Sequence, residues 1–234
     1  KPGSEIAEQF RYLRSRVTRL QEGKVARSLL VTGAMKGDGK TFVSANLAAT
    51  IAQGLDEHVL LVDADLRNPR LHAMFGFGRP MEGLSEHLRD NVPLNELLRK
   101  TDLEKLTLLT AGEATENPAE LLSSTRMTDF IAEVTNRYPD RFVIFDSPPV
   151  ELAPESAVIA KEVNGVLLTI RRGWTSRESV QSTLEKFPKE SFFGIVFNGD
   201  NQSKTKHYYK KRRGSSYGYG YGYGYGYERS GRKG

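Results

Sequence analysis

The sequence predicts an α/β fold, a doubly wound and mostly parallel sheet, and three observations carry that reading. Short apolar runs suited to buried strands alternate with helical stretches from residue 27 to residue 198. That alternation needs crossovers, and so a parallel sheet covered on both faces. The run at residues 28–33 leads through a glycine-rich turn straight into a helical stretch. The runs at 58–63 and 142–146 both end in Asp, at the strand edge where open α/β sheets bind ligands. With 234 residues the chain has room for one such domain with a full core, and little left for a second.

The first element is a helix over residues 4–20, with Ser4 as N-cap and Ile6, Phe10, Leu13, Val17 and Leu20 recurring at helical spacing. Glu8, Arg11 and Arg14 fall along its polar side. On spacing alone they read first as a solvated face holding one local ion pair, worth a few tenths of a kcal/mol.

Residues 28–43, SLLVTGAMKGDGKTFV, come next. Leu29, Leu30 and Val31 form a buried parallel strand. Gly33 leaves it, and Gly37-Asp38-Gly39 lets the backbone turn sharply and approach a ligand with no Cβ in the way. Lys40 and Thr41 then open a helix reaching Gln53. Strand, glycine turn, Lys-Thr and helix are the parts of a P-loop: turn amides hold phosphate oxygens, the Lys reaches the β- and γ-phosphates, and the hydroxyl binds Mg²⁺. Ala34 stands where the first glycine of the pattern would be. The stretch is a nucleoside-triphosphate site.

The strand at 58–63 ends in D-A-D-L-R, which sets Asp63, Asp65 and Arg67 at the sheet edge. Two carboxylates beside a phosphate site suit work on Mg²⁺ or on a hydroxyl proton; the plainer alternative is a polar strand end with an Asp capping the next turn. Residues 66–104 read as irregular, with helical pieces near 84–88 and 94–98. A strand follows at 105–110, then a helix begun by Asn117 as N-cap and Pro118 at its first position. Residues 142–146, FVIFD, followed by Ser147-Pro148-Pro149, fit the Walker B pattern, whose Asp146 carboxylate holds Mg²⁺ through water. Strands at 165–170 and 192–197, with a helix at 176–187 between them, complete the sheet. Asn198, just past the last strand, is placed either to read a purine with its amide or simply to turn the chain before Gly199.

The overall charge of +5 is unevenly held. Residues 204–234 carry nine Lys and Arg against Glu228 alone, a net of +8, which leaves −3 for the other 203 residues. A mildly acidic body gives no support to nucleic-acid binding by the folded part. The chain has no Cys, which fits a reducing compartment and excludes disulfides and thiolate metal sites. No apolar run approaches the ~20 residues of a membrane span. The chain opens at Lys1 rather than Met and shows no signal-peptide pattern, so it reads as a piece of something longer.

The tail from 204 to 234 is expected to be disordered. It alternates Tyr and Gly from 217 to 227 and has almost no aliphatic residues with which to bury surface. Eight of the ten tyrosines lie in it, leaving only Tyr12 and Tyr138 elsewhere. By itself it fits an RNA-stacking arm, an inert terminus, or a segment that presents phenols as substrates. Beside a triphosphate site whose strand-end carboxylates can take a hydroxyl proton, the third reading is the best.

Together these motifs resemble the bacterial tyrosine kinases, the cytoplasmic kinase domains of capsule and exopolysaccharide co-polymerases. Residues 34–41 are similar to the family's P-loop, 60–67 and the following Asn68-Pro69-Arg70-Leu71-His72 to its Walker A′ motif, and 142–149 to its Walker B motif. Glu8, Arg11 and Arg14 are similar to its oligomerisation motif, and Tyr217, Tyr219, Tyr221, Tyr223, Tyr225 and Tyr227 to its tyrosine cluster. The likeness spans the whole chain. Lys36 stands where the family often has Pro, and Met35 where partition and septum-site ATPases carry a signature Lys.

The resemblance implies a P-loop fold of the deviant-Walker, partition-ATPase-like type: a kinase domain over 1–203 with an oligomerisation helix at 1–22, and the tail at 204–234. It implies MgATP bound by Met35, Lys36, Gly37, Asp38, Gly39, Lys40, Thr41, Phe42 and Asn198, with the metal at Thr41, Asp65 and Asp146. Asp63 would accept the tyrosine proton, and the tail tyrosines would be phosphorylated in trans within a homo-oligomeric ring. Expected partners are a membrane-bound activator, fused upstream or separate, a cognate tyrosine phosphatase and other protein substrates, at the inner face of the cell membrane; no specific nucleic acid is expected. The alternatives are a partition-type ATPase with an incidental tail and a nucleic-acid-binding NTPase.

Overall fold

A computed structural model describes residues 3–20, 27–78, 81–137 and 141–199. The tail, with Tyr217, Tyr219, Tyr221, Tyr223, Tyr225 and Tyr227, and the ends of the 1–22 segment lie outside these residues. Helix α1 (Glu5–Leu20) precedes β1 (Arg27–Gly33), α2 (Lys40–Ala52), β2 (His58–Asp63), α3 (Leu71–Met74), α4 (Leu84–Asp90) and α5 (Leu94–Leu97). Then come β3 (Leu98–Lys100), β4 (Leu106–Leu109), α6 (Pro118–Leu122), α7 (Thr125–Asn136) and β5 (Arg141–Asp146). The last elements are α8 (Ser156–Glu162), β6 (Gly165–Arg171), α9 (Arg177–Glu185) and β7 (Phe192–Asn198).

The seven strands form one sheet in the order β3-β4-β2-β5-β1-β6-β7. All pairs are parallel except β3 with β4, where Leu98 opposes Leu109. Side chains alternate faces along each strand, and two cores result. Leu30, Leu60, Val62, Val143 and Phe145 pack toward α7 and α8 with Phe130 and Ile159. Leu29, Val31, Val59, Leu61, Phe142 and Ile144 pack toward α1 and α2 with Phe10, Leu47 and Ile51. The doubly wound architecture is the one the strand–helix alternation predicts.

Four elements differ from the sequence reading, the first being the one-turn helix α3 within residues read as irregular. Residues 98–100 form an antiparallel edge strand where a helical piece is expected up to 98, because Leu98 leaves the helix with extended backbone (φ −70°, ψ 129°). Helix α7 starts at a Ser124 cap whose side chain accepts the Met127 N–H, and it buries Met127, Phe130, Ile131 and Val134 at helical spacing. Helix α8 follows the proline-rich turn after β5. Among the described residues no helix is long and apolar enough to cross a membrane.

Candidate active site

The alternation that makes the cores also builds the site. Gly33, Asp63 and Asp146 share the odd–even phase of the residues facing α2, so β1 ends beneath that helix in a glycine and β2 and β5 end there in their Asp63 and Asp146 carboxylates. Between β1 and α2 the loop turns through Gly37 (φ 92°) and Gly39 (φ 94°), a left-handed backbone that favours glycine. Asp38 is buried within the loop. Its Oδ2 accepts the Met35 N–H at 2.8 Å, and its Oδ1 accepts the Thr175 hydroxyl at 2.7 Å. Helix α2 begins without a side-chain cap and without an acid in its first turn, which leaves its first amides for an anion.

Lys40 is only 7% exposed. Burial pushes its pKa down, while Asp146, Asp65 and Asp38 act in the opposite sense. An ammonium held this way among carboxylates is a ready partner for a phosphate. Asp146 accepts the Ser44 hydroxyl at 2.8 Å and bonds the Thr41 side chain. Burial raises its pKa to about 7 against those two hydrogen bonds. Asp63, on the neighbouring strand, is fully buried and pushed well above the carboxylate range, first by burial and then by Asp146. Its Oδ1 accepts the Asp65 N–H at 3.2 Å, and its Oδ2 accepts those of Arg70 at 3.2 Å and Leu71 at 3.0 Å. Asp65 is half-buried, and burial raises its pKa although Lys40 and Arg67 favour its charged form.

Thr41, Asp65 and Asp146 are hard oxygen donors, the set that suits Mg²⁺. Among the described residues no cluster of three or more His, Asp or Glu forms a ready cage. Mg²⁺ fits such a sparse set because it usually takes its remaining ligands from substrate phosphates and water.

No family model matches the chain. It is 32% identical over 210 residues to tyrosine-protein kinase YwqD of Bacillus subtilis (strain 168), covering 89% of this chain and 87% of the relative. The chain belongs to the bacterial tyrosine kinases. The kinase is also 30% identical over 211 residues to the putative tyrosine-protein kinase CapB of Staphylococcus aureus, covering 89% of this chain and 91% of CapB. Its structure matches the kinase domain of the Escherichia coli tyrosine kinase ETK with a TM-score of 0.80 at 31% identity, over 94% of this chain and 82% of that one.

The structure thus brings Gly37, Asp38, Gly39, Lys40, Thr41, Asp63, Asp65 and Asp146 of the kinase to one sheet edge. Asn198 ends β7 with its amide on the loop, Nδ2 donating to the Asp38 carbonyl at 2.8 Å. Phe42 packs edge-on against Phe10 of α1, with ring centroids 5.7 Å apart. Glu8 and Arg11 pair with each other on the exposed side of α1, but Arg14 turns inward and donates to the Thr50 carbonyl at 3.1 Å. Several residues were not singled out from sequence. Ser44 lies one helical turn after Lys40, a spacing that signals a shared face. Glu155, 3% exposed, takes both Nε and Nη2 of Arg67 on one oxygen, at 3.0 and 2.8 Å. Arg171, Trp174 and Thr175 reach the loop from the end of β6 and the turn after it, more than 130 residues away in sequence.

Proposed function

We propose that this kinase transfers the γ-phosphate of MgATP to the tyrosines of its own C-terminal cluster, Tyr217, Tyr219, Tyr221, Tyr223, Tyr225 and Tyr227. The observation that carries the reading is the convergence of Lys40, Asp65 and Asp146 at the loop of a chain 32% identical to a tyrosine-protein kinase. Lys40 offsets charge between the β- and γ-phosphates, and the amides at the start of α2 hold phosphate oxygens. Thr41, Asp65 and Asp146 would hold Mg²⁺, which would neutralise phosphate charge.

The incoming phenol has a pKa of about 10 and arrives protonated. Asp63 is its proposed proton acceptor, a role worth about 10²–10⁴-fold. Both Asp63 oxygens accept backbone N–H groups and the side chain has no solvent exposure. A tyrosine therefore reaches it only after local rearrangement frees one of those oxygens, whereas Asp65 is partly exposed.

Transfer is proposed to run in trans within a homo-oligomeric ring whose contacts use Glu8, Arg11 and Arg14. A tail of about 30 residues spans at most roughly 100 Å, enough for a neighbouring site. Six phosphates at about −1.5 to −2 each add roughly −9 to −12, more than cancelling the tail's +8. The charged tail would then be expelled and the ring loosened. A membrane-bound activator, a cognate phosphatase and a role in polysaccharide synthesis or export at the inner membrane face complete the proposal. The basic stretch at 204–213 is suited to anionic lipid.

Incubation with γ-labelled ATP, followed by mapping of the label, tests the assignment. Label on the 217–227 tyrosines is expected. ATP hydrolysis without labelled protein would instead favour a partition-type ATPase.

A further inference from the structure

Three successive carbonyls of the phosphate-binding loop are each held from outside the loop. The Trp174 indole Nε1–H donates to the Lys36 carbonyl at 2.9 Å. Arg171 Nη1 donates to the Gly37 carbonyl at 3.3 Å, and Asn198 Nδ2 to the Asp38 carbonyl at 2.8 Å. The next carbonyl, that of Gly39, accepts the Val43 N–H at 2.9 Å as α2 begins.

The donors share one origin. Arg171 ends β6, Trp174 sits in the turn that follows, and Asn198 ends β7 beside it. That turn is fastened in its own right: the Thr175 hydroxyl accepts the Arg171 N–H at 2.7 Å and donates to Asp38 at 2.7 Å. Gly39 leaves room for its donor, whereas at Gly37 a Cβ would make only ordinary contact and it is the left-handed backbone that favours glycine. A Cβ on Gly39 would lie 1.9 Å from Asn198 Nδ2, and one on Gly37 would lie 3.4 Å from Trp174 Nε1.

A trans peptide sets each carbonyl antiparallel to the N–H of the next residue. With the carbonyls of 36, 37 and 38 drawn toward the ends of β6 and β7, the N–H groups of Gly37, Asp38 and Gly39 are aimed the other way. Three consecutive amides aimed in one direction make an anion-binding concavity.

We infer that Arg171, Trp174 and Asn198 are positioning residues that hold the loop in its phosphate-binding form before the nucleotide arrives. This rests on the reading of the loop as a triphosphate site, and it assigns the Asn198 amide to the loop rather than to a purine. Binding energy is then not spent on ordering a glycine-rich segment. Because the effect acts on the phosphates, it is independent of the base.

Calorimetric titration of the full chain with MgATP and with Mg-tripolyphosphate tests this in the parent protein, Trp174→Phe and Asn198→Ala. Each substitution removes one donor, and Trp174→Phe keeps the ring. Each is expected to weaken both ligands by the same factor, about fivefold for one hydrogen bond, with unchanged stoichiometry and cooperative unfolding of the free protein retained, its midpoint lowered by no more than one lost hydrogen bond accounts for. Unchanged affinities would overturn the inference, as would a loss of stoichiometry with a midpoint lowered beyond that, which marks a merely structural role. Weaker MgATP with unaltered tripolyphosphate would overturn it too, because the side chain would then be reading the base. A parent protein that binds neither ligand would remove the triphosphate reading itself, and this inference with it.

Discussion

Asp63 and Asp146 are register partners at the ends of the adjacent parallel strands β2 and β5, and both are buried. The Asp146 carbonyl also accepts the Ala64 N–H at 2.8 Å, which locks the two strand ends together. Burial first, and then the charge of Asp146 beside it, make the ionisation of Asp63 harder. The pair therefore sits ready to trade a proton for a cation, beneath the amine of Lys40.

That pair makes the nucleotide-free protein sensitive to pH. Asp146 is raised to about 7 in the folded chain, against about 3.9 for an unfolded Asp. Between those values the folded state keeps a proton that the unfolded state has lost. The contribution is complete below about pH 4 and is lost as pH rises through about 7. Denaturant titrations at pH 5.5 and pH 8 should show the parent losing more stability over that interval than Asp146→Asn does. Equal losses would contradict the shift.

Asp63 and Asp65 should fail differently. Asp63→Asn is expected to retain MgATP binding and to lower autophosphorylation by about 10²–10⁴-fold. Asp65→Asn should instead raise the Mg²⁺ concentration needed for half-maximal transfer. Undiminished autophosphorylation in Asp63→Asn, with loss confined to Asp65→Asn, would move the base role to the carboxylate that is already open to solvent.

The two arginines of α1 should separate assembly from folding. Arg14 donates to the Thr50 carbonyl at the far end of α2, so Arg14→Ala should cost about 1 kcal/mol of stability. Among the described residues Arg11 pairs with Glu8 on an exposed face, and Arg11→Ala should change stability by no more than a few tenths of a kcal/mol. Light scattering should nonetheless show a smaller assembly for Arg11→Ala. An unaltered assembly would remove Glu8 and Arg11 from the proposed ring contact.

Much of this site was legible in the sequence because it lies in strand ends and in the turns that leave them. The loop at 34–41, Asp63-Ala64-Asp65 and Asp146 are short local patterns, and period-two alternation alone sets Asp63 and Asp146 on one face. The bracing turn was not legible: Arg171, Trp174 and Thr175 meet the loop only because β6 lies beside β1. Nor does sequence reveal that the Arg70 and Leu71 N–H groups bind Asp63. Leu98 reads as helical because it continues the apolar spacing of Leu94 and Leu97, and strand pairing with Leu109 overrides that spacing. The tyrosine cluster lies outside the described residues, so its part in the account rests on sequence.

Transfer in trans onto the tail is the central claim, and one mixing experiment addresses it directly. An isotopically heavy Lys40→Met chain, unable to use ATP, is combined with a light active chain carrying Phe at positions 217, 219, 221, 223, 225 and 227. After addition of MgATP, mass spectrometry should find phosphate on the tail tyrosines of the heavy chain. A heavy chain whose tail tyrosines stay bare, while the unsubstituted kinase modifies its own, would contradict the claim.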